Sequence, residues 1–292
     1  MAFDVRFQHG VRRYESLGGV INAVVVRPDN PKTEVMVVLA PGWSENRTVL
    51  KDCIAQLYAA GRPVIALDHP RTGGTVNPHE SYPIDELRKA LTIREIIKQE
   101  GIPQVDIISH SEGSINGAIA ASLEPGRVRN MVLVNPAGLI GRDTIQGLVA
   151  RFAMKNWQNI IRNLTDVNGL RAALRGQTEG AKYIARNPLR AYQEVRAVSQ
   201  SEIAGMLQHL HDEGIGIVIV HGVEDPGFPM ERMQQVVKSD AKPDGFVDGF
   251  LSVKGGHDDL YIHPEEYTRA AEQMLTALER KRSGKLQDGQ EA

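Results

Sequence analysis

A series of short apolar runs, alternating with helical patterns, limits what this chain can fold into. The runs are EVMVVLA (34–40), PVIALDH (63–69), VDIISH (105–110), MVLVN (131–135), IGIVIVHG (215–222) and GFLSVKG (249–255). They are apolar nearly throughout instead of alternating, the pattern of strands buried on both faces. Helical patterns lie between them at 47–60, 86–100 and 114–123. The first two are followed by Gly61 and Gly101, the usual residue just past a helix end. Alternation of this kind predicts an α/β fold: a mostly parallel sheet with helices on both faces. Two β-rich runs near the N-terminus, 5–9 and 20–27, flank the turn signal Gly18-Gly19 and predict antiparallel strands at one edge. An amphipathic pattern over 265–281 predicts a closing helix.

One segment breaks the alternation. No strand pattern appears between Pro136 and Ser199, while Ile145, Leu148, Val149, Phe152, Trp157, Ile160, Ile161 and Leu164 fall near helical spacing. The expected organisation is a core at 1–136 and 200–282, a helical insert at 137–199 and a flexible tail at 283–292. Residues 141–200 hold ten Lys/Arg against four acids. A solvated set of helix faces is the plain reading of that excess, and attraction of an anionic group the sharper one.

Composition excludes several classes. The 292 residues carry 34 Lys+Arg and 36 Asp+Glu, a formal charge of −2, with 41% hydrophobic residues. That is ordinary globular composition and gives no electrostatic case for nucleic acid. The single cysteine, Cys53, forms no intramolecular disulfide and reads as a small buried hydrophobe in KDCIAQLYAA. No apolar stretch reaches membrane-spanning or signal-peptide length, so a cytoplasmic protein is expected.

The chemistry centres on SHSEG (109–113), where a buried strand runs directly into a helix. A serine at such a turn has its hydroxyl forced out of the sheet edge, and small residues two positions either side let the chain bend. Ser109 stands where the usual pattern, G-x-S-x-G, has glycine; Gly113 fits. A serine hydroxyl needs a base within reach, and the base needs an orienting acid. His257, after two glycines in VKGGHDDL, is the expected base. Asp225, past the end of IGIVIVHG, is the expected acid, with Glu224 as its competitor. All three fall at the carboxyl ends of strands, where open parallel sheets bind ligands. The expected oxyanion donors are the backbone N–H groups of Glu112 and of Trp43, with Ser44 the competing neighbour. His110 is expected to be packed, and His209 and His211 to lie at a helix surface. Asp258 and Asp259 lack a companion ligand set, so no metal site is expected. Leu148, Phe152 and Trp157 are candidate pocket residues, although the same spacing predicts them as core of the insert.

Together these residues resemble the α/β-hydrolase superfamily over about 20–280. The resemblance rests on LAPGWSENR, LDHPRTGGT, SHSEG, HGVEDPGFP and GGHDDL, and on the order Ser111, Asp225, His257. The insert takes the place of that family's cap. Ser109, and Pro70-Arg71 after Asp68, depart from the family pattern without removing a reacting group. A serine at 111 argues against the branches whose nucleophile is a carboxylate. The resemblance implies a carboxylesterase-like serine hydrolase of a small-molecule substrate, most simply a carboxylic ester, needing no cofactor. Thioester, lactone and carbon–carbon bond cleavage use the same triad. A lyase or cofactor-free peroxidase-like enzyme, and a non-catalytic binding protein, are the competing classes. Exposed apolar surface on the insert would alternatively serve a homodimer.

Overall fold

The computed structural model describes residues 3–16, 18–76, 84–240 and 245–288. A short helix α1 (Phe3–His9) precedes the hairpin β1 (Val11–Ser16) and β2 (Gly19–Val26). Then β3 (Met36–Ala40), α2 (Lys51–Ala59), β4 (Val64–Leu67), α3 (Asp85–Gln99), β5 (Val105–His110), α4 (Gly113–Leu123) and β6 (Val128–Val134) follow in strict alternation. Three helices come next, α5 (Ile145–Arg162), α6 (Val167–Arg186) and α7 (Pro188–Gln200). The chain closes with α8 (Ala204–Asp212), β7 (Gly216–Gly222), α9 (Met230–Asp240), β8 (Gly249–Val253), α10 (Asp259–Ile262) and α11 (Pro264–Asp288).

The eight strands form one sheet in the order β1-β2-β4-β3-β5-β6-β7-β8. Pairings β1/β2 and β2/β4 are antiparallel, and all others are parallel. Five of the apolar runs are inner strands with both faces covered; the sixth, β8, is the edge strand and only partly buried. Along β3, Met36, Val38 and Ala40 enter one apolar layer with α3, α4 and α8, while Val37 and Leu39 enter the other with α2 and α11. Cys53 is buried in the second layer. At the edge away from the strand C-termini, Arg62 is wholly buried and ties α11 to the core through Glu272 and Glu279 at 2.6 and 2.7 Å.

Three boundaries differ from the sequence reading. Residues 5–9 belong to a helix, not a strand: Phe3 and Phe7, one turn apart, pack their rings at 5.9 Å, and Phe3 reaches Tyr58 at 5.5 Å. A helix brings side chains at i and i+4 together on one face, whereas a strand would hold them about 13 Å apart. The helical pattern at 47–60 starts only at Lys51, because Asn46 Oδ1 takes the N–H groups of Thr48 and Val49 (2.9 and 3.2 Å) in a side-chain turn. The C-terminal helix runs on to Asp288, so the expected tail is helical that far; its last four residues lie outside the described set.

The stems of the insert meet at its base. Ile203 donates its N–H to Gly138 O (2.9 Å), and Asp143 to Ser199 O (2.8 Å). Thr144 caps α5 and Asp166 caps α6, each accepting a backbone N–H from the first turn. No helix among the described residues is long and apolar enough to cross a membrane.

Candidate active site

Ser111 sits between β5 and α4 with φ 51°, left-handed backbone that a serine adopts only under constraint. The constraint is visible. Its N–H donates to Val134 O (3.0 Å) and its carbonyl accepts from Ala137 N–H (3.1 Å), so the end of β6 holds the turn from both sides. Gly113 is needed for close approach: a Cβ there would stand 2.4 Å from Ala40 O and 2.6 Å from Pro41 O. The elbow therefore lies directly against the end of β3. Ser109 is accommodated because its hydroxyl bonds Ser114 Oγ (3.1 Å) and Gly117 faces it across the helix.

The loops after β7 and β8 bring the other two residues in. His257 Nε2 lies 3.0 Å from Ser111 Oγ, and its Nδ1 2.8 Å from Asp225 Oδ2. Asp225 Oδ1 accepts the N–H groups of Gly227 and Phe228 (2.7 and 3.1 Å). Burial alone would raise this carboxyl, but the His257 charge and hydrogen bond, with the backbone donor of Phe228, carry it below the usual carboxylate range. Glu224 points elsewhere and pairs with Arg162 at 3.3 Å. The imidazole of His257 is held edge-on by Phe152 (5.1 Å) and Phe228 (5.2 Å).

Second-layer groups fix the base loop. His110 Nε2 donates to His257 O (2.8 Å), and its Nδ1 lies 2.7 Å from Glu45 Oε1. Burial would lower this imidazole, but the Glu45 carboxylate outweighs it and raises it, and both ring nitrogens face oxygen acceptors. Asn135 Nδ2 donates to the same carbonyl (2.9 Å), while its Oδ1 accepts from Gly222 N–H (2.8 Å). Tyr267 donates to Gly256 O (2.7 Å). Glu45 Oε2 takes the N–H of Gly42 (2.7 Å), and Glu45 N–H returns to Gly42 O (3.2 Å). The amides at the tip of that turn are those of Trp43 and Ser44, and Glu112 is the N-cap residue of α4.

Two buried polar anchors are among the contacts that close the insert over this floor. In one, Lys155 and Asn159 of α5 bind Asp258 at 2.9 and 2.8 Å. In the other, Lys89 of α3 donates to both oxygens of Glu112 (2.7 and 2.8 Å) and lies 2.9 Å from Glu194 of α7. Glu194 also accepts from Tyr183 OH (2.7 Å) and from the Trp43 indole N–H (2.8 Å). Burial pushes the Glu112 carboxyl up; Lys89 pulls it down and Glu194 pushes again, leaving it at about 8.

Of the candidate pocket residues, only Phe152 reaches the site. Leu148 is packed into the core layer on which Phe152 rests. Trp157 lies on the far side of α5 and is 68% exposed, so it lines nothing at Ser111. Two residues along a helix means a rotation of about 200°, which carries 157 away from the buried position 155. Asp259 is engaged by Gly256 N–H (2.7 Å), and among the described residues no group of three His, Cys, Asp or Glu is set to hold a metal ion. The sequence reading missed Asn135, Lys89, Glu194 and Glu45. Lys89 had a signal: it shares a helical stripe with the buried Ile93 and Ile96, where a cation needs a partner.

The profile of a family described as the alpha/beta hydrolase fold matches residues 35–169, from the start of β3 into α6. No curated protein sequence matched the chain. Among solved structures, an esterase from Rhodococcus sp. ECU1013 aligns with TM-score 0.66 and 18% identity over 92% of this chain and 99% of its own. An enol-lactonase from Burkholderia xenovorans LB400 gives 0.63 and 13% over 91% and 100%. A meta-cleavage product hydrolase from Pseudomonas fluorescens IP01 gives 0.66 and 17% over 91% and 97%. The chain therefore has the α/β-hydrolase fold, and the part from 35 to 169 carries that family's sequence pattern. At these identities the neighbours share its architecture, while the reactions in their names differ from one to the next.

Proposed function

We propose that the protein is a serine hydrolase that cleaves a carboxylic ester through an acyl-enzyme on Ser111. The observation that carries this reading is the continuous relay from Ser111 Oγ to His257 Nε2 (3.0 Å) and from His257 Nδ1 to Asp225 (2.8 Å). Asp225 is held ionised and accepts from Nδ1–H, which leaves Nε2 as the acceptor for the serine proton. Ser111 attacks the ester carbonyl as His257 takes that proton. The N–H groups of Glu112 and Trp43 stabilise the oxyanion, each worth about 2.7–4 kcal/mol in the transition state. His257 then protonates the leaving alcohol. A water activated by the same imidazole releases the acid and restores Ser111. Phe152 and Phe228, already against His257, form the apolar wall beside the reacting carbonyl.

The test is labelling with a fluorophosphonate followed by peptide mass mapping. The expected result is one adduct on Ser111, lost in His257→Ala, and hydrolysis of small p-nitrophenyl esters in preference to thioesters and lactones of matched size. A folded protein that takes no label and turns over no activated ester overturns the reading in favour of a binding role. Faster cleavage of a lactone or thioester would keep Ser111 and replace the substrate class.

A further inference from the structure

The longest apolar stripe of α5 faces outward. Its inner side carries Leu148, Phe152, Lys155 and Asn159, two of them polar groups occupied with Asp258. Its outer side carries Met154, Trp157 and Ile161, the following turn adds Leu164, and α6 adds Val167 and Leu174. These six side chains are 46% to 68% exposed. Surface hydrophobics scattered singly need no explanation, but a run of them along one hairpin marks a surface that something covers.

The charge beside the stripe says what. Gln177 donates to Asn156 O (3.1 Å), so α5 flanks α6 on the Gln177 side. On the other flank, Arg171, Lys182 and Arg186 lie at i, i+11 and i+15, one row along the helix, all exposed, with Lys182 also paired to Glu179 at 2.7 Å. An apolar band bordered by a basic row, with a tryptophan among the apolar groups, is the pattern of a helix face that lies in a membrane interface. A second copy docked two-fold through the same patch would bring the two basic rows, with Arg171 and Arg186 in each, toward each other. An anionic bilayer instead offers phosphates to the row and acyl chains to the band.

We propose that the outer face of the α5–α6 hairpin is a peripheral docking surface for an anionic lipid bilayer. Binding is lateral: the hairpin lies in the headgroup region and nothing spans. This does not rest on the chemistry at Ser111, which the experiment does not read.

The test is co-sedimentation of the full chain with extruded vesicles, either phosphatidylcholine alone or with about a quarter phosphatidylglycerol, alongside sedimentation velocity without lipid. Partitioning to the anionic vesicles should exceed that to neutral ones by roughly tenfold and collapse at about 0.5 M salt. The triple variant Trp157→Ser, Ile161→Ser, Leu164→Ser should lose binding while keeping its circular dichroism spectrum. Should that variant misfold, Arg171→Glu with Arg186→Glu reads the basic row by itself and should abolish the preference for anionic vesicles. Equal binding to both vesicle types, absence of binding, or unchanged binding by the variants overturns the proposal. A dimer in lipid-free solution that the triple variant converts to monomer also overturns it, and gives the face to a second copy.

Discussion

Replacing Glu112 by glutamine should stabilise the folded protein at alkaline pH and flatten its pH dependence. Glu112 is fully buried, and Lys89 is shared between it and Glu194. Two carboxylates with one ammonium leave an unpaired negative charge in a dry space, so the cluster retains a proton and the Glu112 carboxyl rises to about 8. In the unfolded chain a glutamate titrates near ~4.3. Between these values the folded state binds one proton more than the unfolded state, so the free energy of unfolding falls as pH rises, by about 1.4 kcal/mol per unit. The contribution is complete below the unfolded value and gone above the folded one. Over the window the slope integrates to at most about 5 kcal/mol, and structural relaxation makes about 2–4 kcal/mol the expected size. Against a total stability of about 5–15 kcal/mol that is large. Glutamine copies the protonated acid: its carbonyl still accepts from Lys89, and Lys89 keeps Glu194. Urea unfolding followed by circular dichroism at about pH 6 and 8.5 is the assay. The wild type should lose stability between the two, and Glu112→Gln should lose about 1–2.5 kcal/mol less, the part of the window that lies above pH 6. If the variant is instead destabilised by the same amount at both pH values, Glu112 is an ordinary ionised partner of Lys89, and the shared-proton argument is wrong.

Ser111→Ala should leave the melting temperature within a few degrees of wild type and lower kcat by roughly 10⁴–10⁶ on an activated ester. Asp225→Asn should lower kcat by about 10⁴ by permitting the wrong imidazole tautomer. Because the Asp225 carboxyl lies below its usual range, the stability it contributes is present above the unfolded value and disappears as pH falls through the folded one; the asparagine variant should show a flatter acid-unfolding limb. Trp43→Phe keeps the backbone N–H but removes the indole donor to Glu194, so urea unfolding should show a loss of about 1–2 kcal/mol while kcat stays within a few-fold. Gly113→Ala places a methyl 2.4 Å from Ala40 O, and fluorophosphonate labelling of Ser111 should drop sharply even where thermal unfolding still shows a cooperative transition.

The inner parallel strands were legible because both their faces are buried, which removes the polar alternation and leaves runs no other element matches at that length. The proximity of Ser111, Asp225 and His257 was legible for a topological reason: each follows a parallel strand, so each emerges at the same edge of the sheet. Asn135 follows a strand in the same way and was passed over. It does not react; it joins Gly222, Gly256 and His257 by hydrogen bonds, and no motif marks a residue whose task is to hold two loops together. Glu45 was hidden for the same reason: its value comes from His110 and Gly42, sixty-five and three positions away.

The insert shows where periodicity stops informing. In α5 the apolar residues recur at helical spacing, and a helix with one apolar side is ordinarily read with that side inward. The structure divides them. Leu148 and Phe152 face the core, while Trp157, Ile161 and Leu164 face out. The inward positions below Phe152 are taken by Lys155 and Asn159, because the floor beneath them presents the buried carboxylate of Asp258, which needs a cation and a donor more than it needs a hydrocarbon. Burial raises that carboxyl, but Lys155 and the neighbouring imidazoles outweigh it and hold it lowered. Removing Lys155 would leave a charge without compensation in contact with the base loop. The orientation of α5 is thus set by an electrostatic demand located about a hundred residues further along the chain. A helix turned by its polar contacts has no freedom to hide its apolar remainder, and the exposed face that results is what an anionic bilayer would recognise.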